Sequence, residues 1–395
     1  MLGSPPARVL PSQQDRFSLL CDCSTANPTP DQVARISNRS CKSLDWPALF
    51  QLAEHHGVLP LVAYNLLHHL PDVPEDISQS LRSAYEANSQ RSLWFAGELA
   101  RLLEHFTKRE IRTIPFKGSV LAQSAYGDLG LRSFFDLDFL ISPAQFEQAK
   151  QALAEIGYHP AQAISAAVER LYLQTGYERS FDGAGGKNLI ELQWSLLPYF
   201  YAIDSRASGF RIENLFDRAS RVRLGEAEVP CLSPEDSLIA LCLHAAKHLW
   251  TRLIWVADIA QTLSLPQLDF SAIASRAQSL GIMRILGVSC RLAEKLLGAA
   301  LPGTANDLPV HDAEVLKIAE EREARLAGSA TYDFDSAGYF LQLWKLRERQ
   351  RDRCRYLWRL AWTPGPGEIA AVKLPEALFP LYRVVRLGRL LRKLI

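Results

Sequence analysis

In Phe135-Asp136-Leu137-Asp138-Phe139-Leu140-Ile141 two carboxylates stand two residues apart in an otherwise apolar run. The run is short and is closed by Ser142-Pro143, an N-cap followed by proline at a first helical position, so a strand over 134–141 and a helix over 144–156 are predicted. On a strand, residues i and i+2 point to one face, which puts Asp136 and Asp138 side by side. Like charges so placed repel unless a cation offsets them, and hard divalent ions held by oxygen ligands, above all Mg²⁺, meet that need. A solvated strand face is the ordinary alternative, and the apolar flanks argue against it.

Working outward, Ile111-Arg-Thr-Ile-Pro-Phe116 predicts a second strand. Lys117-Gly118-Ser119 then turns it into a helix that runs through Tyr126. Gly118 and Ser119 there offer backbone N–H groups and a hydroxyl at a helix start, a seat for phosphate oxygens. Downstream, Tyr177–Phe181 and Asn188–Trp194 are apolar-alternating runs separated by Asp182-Gly183-Ala184-Gly185-Gly186-Lys187, the composition of a long hairpin loop. Glu191, the one acid in the second run, is the candidate third carboxylate that a site with two metal ions about 3.5–4 Å apart would require. Val222–Leu224 and Ala227–Val229 flank Gly225-Glu226 as a smaller hairpin. The order of elements predicts an α+β protein, a mixed sheet with helices packed on it. A phosphate seat beside metal-binding carboxylates implies nucleotide chemistry.

The wider composition sets the frame. The chain has 395 residues, 48% of them hydrophobic and 22% charged, which fits a folded protein of more than one packed module. Lys and Arg number 44 against 43 Asp and Glu, a formal charge of +1, so no global field points to nucleic acid. The balance is local: from Leu341 to Ile395 there are thirteen basic and four acidic residues. Seven scattered cysteines without a C-x-x-C pair suit reduced thiols, and the first 24 residues lack the apolar core of a signal peptide. A cytoplasmic protein is expected.

Lys117-Gly118-Ser119, Tyr126-Gly127-Asp128, Arg132 and Asp136-Leu137-Asp138-Phe139-Leu140-Ile141 together resemble the signature of an uncharacterised bacterial nucleotidyltransferase family related to DNA polymerase beta. Ile190-Glu191-Leu192-Gln193-Trp194 is similar to its third-acid strand. His244-Ala245-Ala246-Lys247-His248-Leu249-Trp250 with Arg252, Trp255 and Asp258 is similar to its helical stretch. The resemblance implies a nucleotidyltransferase-type mixed-sheet core with flanking helices and a large C-terminal helical region. It implies that Asp136, Asp138 and Glu191 bind Mg²⁺, two ions with Mn²⁺ as a substitute, and that Gly118 and Ser119 hold the triphosphate. Lys117 and Arg132 then neutralise phosphate charge, Arg132 by its planar fork. The implied reaction moves a nucleoside monophosphate from an NTP, with ATP expected, to a hydroxyl of a small molecule or protein. A non-catalytic nucleotide-binding scaffold of a biosynthetic cluster is the competing class.

The expected organisation is a flexible arm over 1–30, a helical segment over 31–108, the core over 109–232, a helical domain over 233–362, and a linker with a basic amphipathic helix over 363–395. His244 and His248 lie four apart as zinc ligands do, yet Ala245 stands where a metalloprotease helix needs glutamate. Hydrogen bonds from these imidazoles to Asp258 or to backbone carbonyls are expected instead, with His244, Lys247 and His248 on the acceptor side. The last helix, from Tyr382, is expected to pack its leucines inward and leave its arginines in water, in preference to lying on an anionic membrane.

Overall fold

The structure of the protein, a computed structural model, describes residues 11–183, 189–203, 210–266, 268–301, 308–328, 333–334 and 336–394. Its strands are β1 (Thr113–Phe116), β2 (Asp136–Ile141), β3 (His159–Pro160), β4 (Glu178–Asp182), β5 (Leu189–Gln193), β6 (Ser220–Leu224) and β7 (Ala227–Cys231). The first five form one mixed sheet in the order β1-β2-β5-β4-β3, and β6 and β7 form a separate hairpin. Only β2 and β5 run parallel. This is the α+β arrangement the sequence predicts, with strand ends shifted by a residue or two. The predicted hairpin loop between β4 and β5 falls largely on residues 184–188, outside the described residues.

Strand pairing sorts the side chains into two faces. Leu137, Phe139 and Ile141 of β2, Phe181 of β4 and Ile190 and Leu192 of β5 belong to one apolar cluster with Leu102 and Phe106 of the long helix Glu75–Thr107 and Phe146 of the helix Phe146–Glu155. The alternate residues face the other way. There Ile114 and Phe116 of β1 and Leu140 of β2 join a larger cluster made chiefly of helices on both sides of the sheet in sequence. Asp136, Asp138, Glu191 and Gln193 lie on this second face, toward the helical region; Asp138 and Gln193 are buried there, and Asp136 and Glu191 are half-buried.

The second cluster contains Phe17, Leu19, Leu20, Cys21 and Cys23, each buried. Residues 11–22, read from sequence as part of a flexible arm, therefore form a packed helix, Pro11–Asp22. Residues 1–10 lie outside the described residues. A helix covered by neighbours on several sides has no polar stripe, and so it carries no period-3.6 pattern to be recognised. The N-terminal helices also reach the C-terminal ones directly. The helix Trp46–His56 ends at Gly57, in the left-handed region at φ 73°, and the Leu253 N–H of the helix Leu253–Leu263 donates to His56 Nδ1 at 3.2 Å.

The last helix, Tyr382–Leu394, corrects another expectation. Arg386 is buried and, with Arg389, pairs with the buried Glu368 of the helix Pro366–Ala371. Val384 and Leu391 face water. An enclosed carboxylate needs cations, and that need outweighs the inward packing of two aliphatic side chains.

His56 accepts a backbone hydrogen bond and is fully enclosed, and burial pushes its pKa down to about 3. The unfolded imidazole titrates near 6.5, so the neutral ring contributes stability in full above about pH 6.5 and loses it as pH falls toward the folded value. The loss amounts to about 1.4 kcal/mol per pH unit inside that window. Urea unfolding of wild type and His56→Gln across this range should show the two stabilities converging as pH falls. A gap independent of pH would contradict the assignment.

Candidate functional site

Parallel pairing of β2 with β5 sets Asp138 directly opposite Glu191, with Asp136 one pleat away on the same face. Three carboxylates thus converge from two adjacent strands. Gln193, two residues beyond Glu191, ties them together: its Nε2 donates to Asp138 Oδ1 at 2.7 Å and to Glu191 Oε2 at 3.2 Å. Lys117 Nζ lies 3.2 Å from Asp138 Oδ2. Burial raises the Asp136 carboxyl above its usual range and the neighbouring Asp138 adds to the effect, while Lys117 opposes it. Glu191 is raised by burial, then by Asp138 and Glu178. Burial works against charge on Lys117, but Asp138, Asp136 and Glu191 outweigh it and hold the ammonium above its ordinary pKa. One cation among three acids leaves an anionic surplus.

The turn after β1 is strained where it meets the acids. Lys117 stands at φ 60° and Gly118 at φ 47°, two consecutive residues in a region that side chains disfavour. The strain delivers Lys117 Nζ to Asp138 and starts the short helix Gly118–Leu121, which widens into a π-helical turn over Ala122–Tyr126. Gly118 serves this conformation rather than close packing, since a Cβ there would meet nothing nearer than 3.7 Å. Ser119 is buried, and its hydroxyl has no hydrogen-bond partner among the described residues. Such an orphan donor is costly unless a ligand oxygen satisfies it.

Arg132 is not placed as expected. Its guanidinium forms a two-pronged pair with Asp258 at 2.7 and 2.9 Å, and the Tyr126 hydroxyl donates to the same carboxylate at 2.7 Å. All three are buried. The fork that sequence assigned to phosphate is therefore committed to a structural pair joining the segment before β2 to the helix Leu253–Leu263. Of the two partners expected for His244 and His248, Asp258 or a backbone carbonyl, Asp258 is instead engaged by Arg132 and Tyr126. The long helix Glu75–Thr107 clamps this segment from the other side: Asn88 Nδ2 donates to the Gly130 and Arg132 carbonyls, and Tyr85 Oη to Asp128 Oδ2. A Cβ at Gly130 would sit 2.2 Å from Ser89 Oγ and 3.1 Å from the Tyr85 ring and hydroxyl, so a larger residue there would force Ser89 to turn and Tyr85 to shift. None of these positioning residues carries a local signal, because their partners lie about 40 or more residues away.

The helix Pro234–Lys247 brings its C-terminal end over the acidic face. Lys247 Nζ donates to Tyr177 Oη at 2.9 Å, and that hydroxyl donates to Glu178 Oε1. Glu178 sits opposite Gln193 across β4 and β5, which continues the polar chain to the acids. Burial lowers the Lys247 pKa, with Lys117 adding to the effect. His248 stacks on Trp255 at 4.7 Å, and burial, then Lys247, pushes its pKa down to about 3. His244 packs edge-on to Trp255 and is likewise held neutral by burial. Lys247 and His248 line a cavity of about 520 Å³ together with Tyr172, Tyr177, Phe200 and Tyr339, whereas His244 is not part of its wall. Tyr177 and Glu178 carry no site role in the sequence reading, since lone polar residues on strands are common, and Gln193 enters it only as a member of the third-acid strand.

The donor set suits a hard divalent cation: oxygen ligands only, more negative charge than Lys117 neutralises, and a buried hydroxyl awaiting a partner close by. Asp136, Asp138 and Glu191 are the side chains that could hold one. As they stand they are arranged about Lys117, and among the described residues no group of three or more His, Cys, Asp and Glu closes into a metal site.

A mixed sheet presenting acids from two parallel neighbours beside a strained glycine turn, with a large helical region behind it, is a nucleotidyltransferase-like fold. The chain belongs to the family described as uncharacterised nucleotidyltransferase, which it matches over residues 42–298. The match takes in the acidic trio, the glycine turn, and the helices that carry Lys247 and Asp258. Membership supports nucleotidyl transfer, with a nucleoside triphosphate as substrate. No curated protein and no solved structure matches the chain.

Removing Asp258 should strand the Arg132 guanidinium and the Tyr126 hydroxyl in the interior. Asp258→Ala is expected to cost about 3–5 kcal/mol of stability, the penalty of breaking a buried ion pair from one side. Denaturant unfolding measures it, and a loss below about 1 kcal/mol would show that the pair is not structural.

Proposed function

We propose that the protein is an Mg²⁺-dependent nucleotidyltransferase that moves a nucleoside monophosphate from an NTP, with ATP the expected donor, to a hydroxyl of an acceptor. The observation that carries the proposal is the register that sets Asp138 opposite Glu191 with Asp136 beside them and a single ammonium among the three. In the reaction an acceptor oxygen attacks the α-phosphorus, the bond from that phosphorus to the β-bridging oxygen breaks, pyrophosphate departs, and the acceptor hydroxyl's proton passes to Glu191 or to solvent.

Asp136 and Asp138 would hold the cation, and Glu191 would complete the set. Bound Mg²⁺ would supply charge neutralisation at the phosphates and make the attacking hydroxyl more acidic. The chain's own residues supply orientation. Lys117, kept protonated by the acids, is placed to turn from Asp138 toward a triphosphate that brings its own charge. Backbone N–H groups at Gly118 and the unpartnered Ser119 hydroxyl suit phosphate oxygens. Gln193 holds Asp138 and Glu191 together on the site face.

Acceptor binding is assigned to the aromatic cavity beside Lys247 and His248. Its charges are held in internal contacts: Lys247 is tied through Tyr177 to Glu178, and Arg386 and Arg389 share the one carboxylate of Glu368, a surplus of one positive charge in the wall. Ring faces and phenolic hydroxyls around this space favour a ring-containing molecule bearing hydroxyls.

Pyrophosphate release from each of the four NTPs, with Mg²⁺ or Mn²⁺, tests the proposal, with mass spectrometry of the protein to detect transfer to itself. Asp136→Asn and Asp138→Asn should each reduce turnover by about 10²–10³-fold or more while thermal unfolding changes little, because each removes a ligand but also relieves repulsion. Turnover that survives both substitutions would refute the assignment.

A further inference from the structure

Of the large apolar side chains that face water among the described residues, most lie after Phe334, beyond the family-matched segment. They are grouped. On the helix Gln350–Trp362, Trp358 is 63% exposed and stacks on Trp362 at 5.3 Å and 17°, with Leu357 beside them. The helix Tyr382–Leu394 packs alongside, and Arg383 lies over the Trp362 ring at 5.9 Å. On this neighbour Val384 is 63% and Leu391 61% exposed, seven residues apart and hence on one stripe; Leu381 continues that stripe toward the chain's interior.

Two tryptophans, a valine and three leucines held in water by a fold that buries arginine beneath them need an explanation. The inward pairing of Arg386 and Arg389 with Glu368 fixes the rotation of the last helix, so the apolar stripe is turned outward by a buried ion cluster. The segment from Leu341 to Ile395 that carries it has thirteen basic and four acidic residues, with Arg347 and Arg386 turned inward and most of the others at the surface. A second copy of this surface would bring the same excess of positive charge against it. A nucleic acid would answer the charge but not the aliphatic side chains. A bilayer with anionic headgroups answers both: tryptophan rings and long arginine side chains settle at the headgroup level, with aliphatic groups just beneath.

We infer that the surface formed by Trp358, Trp362, Val384, Leu391 and the arginines around them docks the protein peripherally on an anionic lipid membrane. Docking here lies on the surface, since no helix among the described residues is long and apolar enough to cross a bilayer. The inference stands independently of the proposed reaction. The docking helix also contributes Arg386 and Arg389 to the wall of the aromatic cavity, so a docked protein would hold that cavity close to the membrane.

Flotation of the full chain with vesicles of phosphatidylcholine alone, or with about a third phosphatidylglycerol, tests the inference. The protein should float with the anionic vesicles, weakly or not at all with the neutral ones, and less as salt rises. Trp358→Ala with Trp362→Ala, and separately Val384→Ser with Leu391→Ser, should each lower partitioning by at least about tenfold at unchanged Tm. Brominated lipid should quench part of the tryptophan emission of the unaltered chain. Failure to float on anionic vesicles at low salt, absence of quenching, or folded variants that float like wild type would overturn it. So would sedimentation showing that the tryptophan pair holds a dimer without binding lipid, which would assign the surface to a second copy.

Discussion

Three carboxylates on one face of a sheet, closed in by helices and facing a single ammonium, form the constraint around which this molecule is built. Like charges drawn together out of water are unfavourable, and Asp136 and Glu191 are driven above their ordinary pKa by burial and then by Asp138. The fold sustains the arrangement because each supporting contact is made by a rigid element. Strand register sets the acids, a strained turn delivers Lys117, and Gln193 holds two carboxylates together. Such pre-organised tension is useful only where a ligand relieves it, and a cation carried by a triphosphate supplies both the charge and the phosphate oxygens that the Ser119 hydroxyl could satisfy.

A second electrostatic cluster, Arg132 with Asp258 and Tyr126, ties the segment before β2 to the helical region. Here burial is matched by full pairing, and the cluster acts as a fixed strut. Two buried ionic groups near one another thus behave in opposite ways. One is balanced and structural, the other keeps an anionic surplus. The distinction rests on counting partners, since burial is common to both. A third cluster, Glu368 with Arg386 and Arg389, orients the last helix and thereby decides which of its side chains meet solvent.

What sequence makes legible here follows from the range of the interaction. Asp136 and Asp138 announce themselves because strand alternation is local and charge in an apolar run is conspicuous. Glu191 could be named for the same reason, although its place opposite Asp138 depends on a parallel pairing across more than fifty residues. The partner of Arg132 was beyond reach: an arginine at that spacing suits phosphate or carboxylate equally, and Asp258 is brought to it only by tertiary packing. The helix Pro11–Asp22 was missed because its enclosure erases amphipathic periodicity. Gln193, Tyr177 and Glu178 show no pattern at all until β4 and β5 are laid side by side.

The most direct measurement is the position of Mn²⁺, located by its anomalous scattering in crystals of the protein grown with a non-hydrolysable ATP analogue. Mn²⁺ bound by Asp136 and Asp138, with Lys117 turned from Asp138 to the phosphates, is the expected result. Mn²⁺ and nucleotide elsewhere, with the Lys117–Asp138 pair intact, would contradict the catalytic role given to the acids.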